Sequence, residues 1–362
     1  MSDTTATPPG PGTSVRSGLA RLKRLMGTAP RRLNLALQGG GAHGAFTWGV
    51  LDALVEDPSI GFEGLSGSSA GAMNAVVLAD GWMKGGRDGA RQGLAKFWTE
   101  LGKQMPWGLM TRRKGDSISL SPASQMLANW AGNFSPAQLN PFDLNPLRSL
   151  LADQIDFKRL RTHSPFKLFV GATQVNTGKL RVFRENELSV EVLLASACLP
   201  KIHHTVEIDG EPYWDGGYSA NPAVFPLFYD CDSRDVLLVL LNPLQREDTP
   251  HTVTEIEARI AELTFSATFM REMRMFSHAI QFSASPLAIK GRFEKKLLDV
   301  RFHMIDASNL ESLVRSDSKM LAHGPFLRRL QGQGRERTVD WLRDCSADIG
   351  RRSSIDVRAL FD

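Results

Sequence analysis

Gly67-Ser68-Ser69-Ala70-Gly71 has the spacing G-x-S-x-G, the pattern that seats a serine on a sharp strand-to-helix turn with its hydroxyl held out toward a substrate. A Cβ at Gly67 or Gly71 would crowd such a turn, so both glycines are read as parts of a nucleophile elbow around Ser69. Five positions alone also describe ordinary loops. The flanks supply context: Ile60 to Leu65 suits a short incoming strand, and Ala70 to Ala79 is apolar apart from Gly71 and Asn74, as a buried helix is.

Two further clusters bear on the same chemistry. Leu33 to Leu37 runs into Gln38-Gly39-Gly40-Gly41-Ala42-His43-Gly44 and then into the helical spacing of Phe46, Val50, Leu51 and Leu54. Consecutive backbone N–H groups in such a turn, at a helix N-terminus, form an anion site and stabilise a developing oxyanion. Gly39, Gly41 and Gly44 also satisfy G-x-G-x-x-G, and Glu63 lies 19 residues beyond Gly44, so a dinucleotide-binding turn competes with the oxyanion reading. The third cluster starts with a helix, Leu193 to Leu199, stopped by Pro200. A hairpin follows over Val206 to Gly210, and then Tyr213-Trp214-Asp215-Gly216-Gly217-Tyr218-Ser219-Ala220-Asn221-Pro222. Glycines beside Asp215 let its carboxylate approach another backbone closely; the plainer reading is an aspartate that caps its own loop.

In content and order the three clusters resemble the patatin-like phospholipases, a family that pairs a glycine-rich oxyanion loop with G-x-S-x-G and a later D-G-[AG]. The resemblance covers roughly residues 33 to 243, and the later stretch resembles the helical extension of bacterial members. It implies a Ser-Asp dyad with Ser69 as nucleophile and Asp215 as base, and an oxyanion hole formed by the N–H groups of Gly39, Gly40 and Gly41. His43 departs from the pattern, because the family usually carries Arg or Lys there. An ordinary aspartate, with a pKa of about 3.9, is a weak base for a serine hydroxyl, so the dyad requires a buried Asp215 with a raised pKa. The alternative is an α/β-hydrolase triad in the chain order Ser, Asp, His, with His251, His278, His303 or His323 as base. A catalytically inactive lipid-binding fold stands beside both.

No cofactor and no metal is expected: H-E-x-x-H is absent, and the adjacent His203 and His204 would point to opposite faces of a strand. Cys198, Cys231 and Cys345 are far apart and odd in number, which fits free thiols in a reducing compartment. Met1 to Gly12 lacks the charged start and apolar core of a secretory signal, and no run of 18 apolar residues occurs. The expected location is the cytoplasm, with peripheral contact at the inner membrane.

The formal net charge of +4 does not describe the body of the chain. Residues 1–32 hold Arg16, Arg21, Lys23, Arg24, Arg31 and Arg32 against Asp3, which exceeds the whole. The remainder is close to neutral, so no nucleic-acid partner is expected. On a helical wheel Leu19, Leu22, Leu25 and Met26 oppose Arg16, Lys23 and Arg24, as in a helix lying weakly on an anionic membrane; a solvated tail is the plainer reading.

With 42% hydrophobic and 23% charged residues, the chain has the composition of a globular enzyme with a sizeable core. The expected fold class is α/β: a three-layer α/β/α patatin-like sheet domain with a helical C-terminal extension. Its expected parts are a basic tail over 1–32, a catalytic domain over 33–245 and a helix-rich extension over 246–362. Gly81 to Asn140, rich in Gly, Pro, Trp and Met (Trp98, Met105, Trp107, Met110), reads as a cap that supplies apolar walls for an acyl chain. Phe166–Ala172, Leu180–Phe183 and Val236–Leu241 read as strands, and Thr254–Phe282 as a helix. The implied partner is a lipid or other ester.

Overall fold

Leu33, Leu35 and Leu37 alternate with Asn34 and Ala36, and the two sets face opposite sides of a sheet that is covered on both. The computed structural model describes residues 30–104, 111–114, 117–131, 134–246, 248–285, 290–314 and 316–362. The amphipathic stretch of the tail and Met105, Trp107 and Met110 of the expected cap lie outside them. Arg31 and Arg32, counted above with the tail, open the first strand: Arg31 donates to the Ser346 carbonyl and to Ser59 Oγ.

In chain order the principal elements are β1 (Arg31–Leu37), α1 (Gly44–Glu56), β2 (Ile60–Ser68), α2 (Ala70–Leu101), β3 (Lys167–Gln174), β4 (Leu180–Arg184), α3 (Val190–Ser196), β5 (Val206–Ile208), β6 (Glu211–Asp215), α4 (Phe225–Asp230), β7 (Asp235–Leu240), α5 (Val253–Ala284), β8 (Arg301–Asp306), α6 (Gly324–Cys345) and α7 (Val357–Phe361). The sheet runs β8-β7-β1-β2-β3-β6-β5, with β4 paired to β3. β8, β7, β1, β2 and β3 are parallel, while β4, β6 and β5 run antiparallel to their neighbours.

All six residues of β7 are buried, and they divide by parity. Leu237 and Val239 join the core under α1, α2 and α6; Val236, Leu238 and Leu240 join the one under α4, α5 and α7. These are the three expected layers. α1 is buried almost all round because α6 covers the side facing away from the sheet, and Arg335 of α6 pairs with Asp52 and Glu56 across the contact. Phe46, Val50, Leu51 and Leu54 are fully buried there, each worth about 1.5–3 kcal/mol.

Two regions differ from their sequence reading. α2 continues to Leu101, folding at Gly85 and Gly86, where its dihedrals leave the helical range. The glycine-rich start of the expected cap is therefore helix, and Trp98 is a core residue, donating from Nε1 to Asn74 Oδ1 at 2.9 Å. The C-terminal extension is helical as expected, but its β8 also joins the main sheet alongside β7.

β3 organises the end of the sheet that carries Ser69 and Asp215. It pairs with β2 through residues 167–171 and with β6 through 172–174, and β4 occupies its opposite edge. β2 and β6 thus share one edge of β3 and approach each other along it. Ser68 is opposite Gly171, and Asp215 is opposite the next residue, Ala172.

Candidate active site

That register sets the last residue of β6 beside the turn that follows β2. Ser69 occupies the turn with φ 53° and ψ −126°, a conformation that costs a non-glycine residue about 1–3 kcal/mol. Two close approaches require glycine on either side of it. A Cβ on Gly71 would lie 2.1 Å from the Leu37 carbonyl oxygen, and one on Gly67 would lie 2.5 Å from the Gly71 carbonyl carbon. The Ser69 N–H is held by Ser196, at 3.0 Å from Oγ and 3.1 Å from the carbonyl oxygen, and Ser196 Oγ donates in turn to the Gly171 carbonyl at 2.6 Å.

Asp215 is 1% exposed. Its backbone is tied down by its own N–H, donated to Cys198 O at 2.8 Å, and by Thr173 Oγ1, which donates to its carbonyl at 2.7 Å. Its carboxylate accepts the Gly217 N–H at 2.7 Å. Burial pushes this carboxyl up to about 7, against the opposing pull of that hydrogen bond and of the neighbouring Ser69 hydroxyl. A carboxylate with that affinity for a proton is a competent base near neutral pH.

The glycine loop lies directly over the elbow: a Cβ on Gly39 would stand 2.9 Å from Ser69 Cβ. Gly39 differs from its expected role, because its N–H is donated to Asn221 Oδ1 at 2.7 Å while Asn221 Nδ2 donates to its carbonyl at 3.3 Å. That amide is therefore spent on holding the loop. Gly40 and Gly41 donate to no group among the described residues. Gln38 fixes the base of the loop, its Oε1 accepting from the N–H groups of Leu241 (2.6 Å) and Asn242 (2.8 Å).

The other candidates fall elsewhere. Among the described residues no histidine bonds to Ser69 or Asp215. His303 Nε2 lies 3.1 Å from Asp235 Oδ1, His278 is exposed near Asp362, His251 starts α5, and His323 caps α6. Glu63 accepts the N–H groups of Asp232 and Ser233 at 2.8 Å and pairs with Lys167 at 3.1 Å, away from the glycine loop, so it is not placed as a ribose acid. His203 Nδ1 accepts from Leu199 N at 3.2 Å and His204 Nε2 lies 2.8 Å from Asn140 O. No cluster of three metal-ligating side chains occurs among the described residues. Cys198 and Cys231 are buried free thiols, each pushed up to about 12 mainly by burial. No described helix is long and apolar enough to cross a membrane.

Sequence reasoning missed Ser196 and Asn221. Each stands within a stretch already singled out, but its role depends on chain brought close only by folding.

An α/β fold that sets a serine on a strand-to-helix elbow beside a buried aspartate is an arrangement suited to hydrolytic chemistry. The patatin-like phospholipase family model matches residues 35–228, more than half of the chain. The chain belongs to the patatin-like phospholipases, a family of lipid acyl hydrolases that act on carboxylic esters. Among solved structures it is similar to VipD from Legionella pneumophila, at 16% identity over 85% of this chain and 68% of that one, with a TM-score of 0.35. No curated protein matches it.

Proposed function

We propose that the protein is a serine lipid acyl hydrolase of the phospholipase A or lysophospholipase type, working through a Ser69–Asp215 dyad. The observation that carries this reading is the register along β3, which sets the elbow after Ser68 beside the buried Asp215, opposite Gly171 and Ala172; burial raises that carboxyl to about 7. As Ser69 Oγ attacks the ester carbonyl carbon, its proton passes to Asp215. The carbonyl oxygen becomes an oxyanion, received by the N–H groups of Gly40 and Gly41 while Asn221 holds Gly39. Collapse breaks the ester C–O bond, and the departing alkoxide takes the proton back from Asp215, leaving acyl-Ser69. Water then repeats the sequence, giving its proton to Asp215 and releasing the fatty acid, and the proton returns to Ser69.

The organisation that accompanies this reading is a catalytic domain over 33–245 with an extension over 246–362, and a basic tail that brings the enzyme to anionic membranes from the cytoplasm. The tail's charge supports that last part, each basic residue being worth about 1 kcal/mol near such a surface. Removal of residues 1–29 should weaken sedimentation with anionic vesicles at low salt while leaving hydrolysis of a soluble ester unchanged; equal sedimentation would remove the tail from the account.

The test of the chemistry is covalent labelling with a fluorophosphonate. The adduct is expected on Ser69, and Ser69→Ala should neither label nor hydrolyse nitrophenyl esters while remaining folded. Labelling of another serine, or more than a few per cent of turnover in pure Ser69→Ala, would refute it.

A further inference from the structure

The glycine loop is backed by a segment far away in sequence. The 3-10 turn Ser316–Met320 lies against it at successive points. Ser318 Oγ is 2.7 Å from Nε2 of the fully buried His43. The Lys319 carbonyl oxygen comes so close to Gly41, which has φ +58°, that a Cβ there would stand 2.3 Å away. Lys319 Nζ donates to Asn242 Oδ1 at 2.7 Å, and the Asn242 N–H is one of the two that hold Gln38. One short turn thus touches the loop at Gly41 and His43 and reaches Gln38 through Asn242.

The charges are arranged unusually. His43 is held neutral by burial and by the nearby Lys319 cation, which keep its pKa well below the usual imidazole value. Burial also lowers Lys319, with Glu262 opposing and Arg246 assisting. Among the described residues no carboxylate forms an ion pair with Lys319, because Glu262 is taken by Arg246 at 2.5 Å and Arg259 at 3.2 Å. A partly buried cation whose carboxylate neighbour, Glu262, is already shared by two arginines is incompletely compensated in the resting enzyme. It gains a counter-charge only when negative charge develops nearby, and an interaction stronger in the transition state than in the ground state accelerates the chemical step.

We propose that Lys319 is a positioning residue for the oxyanion loop, fixing the Gly40 and Gly41 amides from behind and setting a positive charge behind the anion they receive. This rests on the acyl-serine reading above. It makes the C-terminal extension part of the catalytic machinery through a side chain that touches neither Ser69 nor Asp215.

The experiment compares Lys319→Met, Lys319→Gln and Lys319→Arg in the full chain, using a soluble nitrophenyl ester, the rate of fluorophosphonate labelling and the Ki of a trifluoromethyl ketone, whose serine adduct carries an oxyanion. Lys319→Met should lower kcat about tenfold with KM little changed, less than the loss of a direct oxyanion donor. The ketone should weaken by the same factor. Lys319→Gln, which keeps a donor for Asn242 without the charge, tests the charge should the methionine variant fail to fold, and Lys319→Arg should restore most of the rate. Normal kcat and ketone affinity in Lys319→Gln would overturn the proposal. So would an arginine variant as slow as the glutamine variant. If the unmodified protein does not label at Ser69, the acyl-serine reading falls first and takes this one with it; normal labelling beside an unaffected Lys319→Gln removes Lys319 alone.

Discussion

Asp215 and Asp235 are almost equally hidden, at 1% and 4% exposure, at opposite ends of one sheet. Asp215 closes β6 beside the elbow, whereas Asp235 opens β7, far from the glycine loop. Burial raises the pKa of both. At Asp235 the hydrogen bonds from His303 (3.1 Å), Arg301 (2.9 Å to each oxygen) and the Gly350 N–H (2.8 Å), together with the Arg301 charge, outweigh burial and hold it at about 2. At Asp215 two neutral donors do not, and it stands at about 7. Partner charge and number make much of the difference, and Asp235, though equally hidden from solvent, has less protein packed around it, so burial also raises it less. One carboxylate is a permanent anion that binds the extension to the sheet, and the other is poised to exchange a proton.

The sharpest break of this comparison is Asp215→Asn, expected to reduce turnover by about 10³-fold or more, on the scale of losing a unit of a catalytic dyad. Its effect on stability should be opposite. A carboxyl whose folded pKa is raised is penalised as pH climbs from its unfolded value, about 3.9, through about 7. The asparagine variant should therefore melt at or above the wild-type temperature at pH 8, with the advantage shrinking toward pH 4. A variant that melts well below wild type at pH 8 would mean that Asp215 is structural.

Asp235→Asn should do the reverse. Breaking a buried pair costs about 3 kcal/mol, and the test is chemical denaturation at pH 7 alongside an activity measurement below the melting range, where turnover should be normal. Because the Asp235 pKa is depressed, its stabilisation is complete above about 3.9 and is lost as pH falls through about 2, so wild type and variant should converge in that window.

A third measurement is the pH profile of kcat/KM. It should rise with pH to a plateau with an apparent pKa of about 7, giving roughly a hundredfold loss at pH 5. A midpoint near 4 would return Asp215 to the ordinary carboxylate range. The smallest effect is expected at Ser196, whose hydroxyl bridges the Ser69 N–H and the Gly171 carbonyl: Ser196→Ala should cost about tenfold in kcat, as a slightly misplaced nucleophile does.

What could be read from the sequence follows from how local each feature is. The elbow, the glycine loop and the Asp215 turn are strings of adjacent residues whose backbone demands show directly as glycines. Four of the five parallel strands, β1, β2, β3 and β7, and the long helix Val253–Ala284 were likewise visible from periodicity, whereas β8 was not. What stayed hidden depends on contacts between distant segments. Nothing beside Asn221 announces that it will claim the Gly39 amide, and Ser318 and Lys319 lie 275 residues or more beyond the loop they hold. Gly81 to Asn140 read as a cap from its glycines, prolines, tryptophans and methionines, yet tertiary packing keeps its start, apart from the fold at Gly85 and Gly86, within α2.

β3 lends no atom to the chemistry, yet it works as the ruler of the site. Because β2 and β6 meet head-on along one of its edges, the gap between serine and aspartate is set by consecutive rungs of a single ladder, opposite Gly171 and Ala172. The chain leaves this region after α2 and re-enters at β3 upstream of those rungs, and Leu150, Leu151 and Leu160 on the way join the core under α1, α2 and α6.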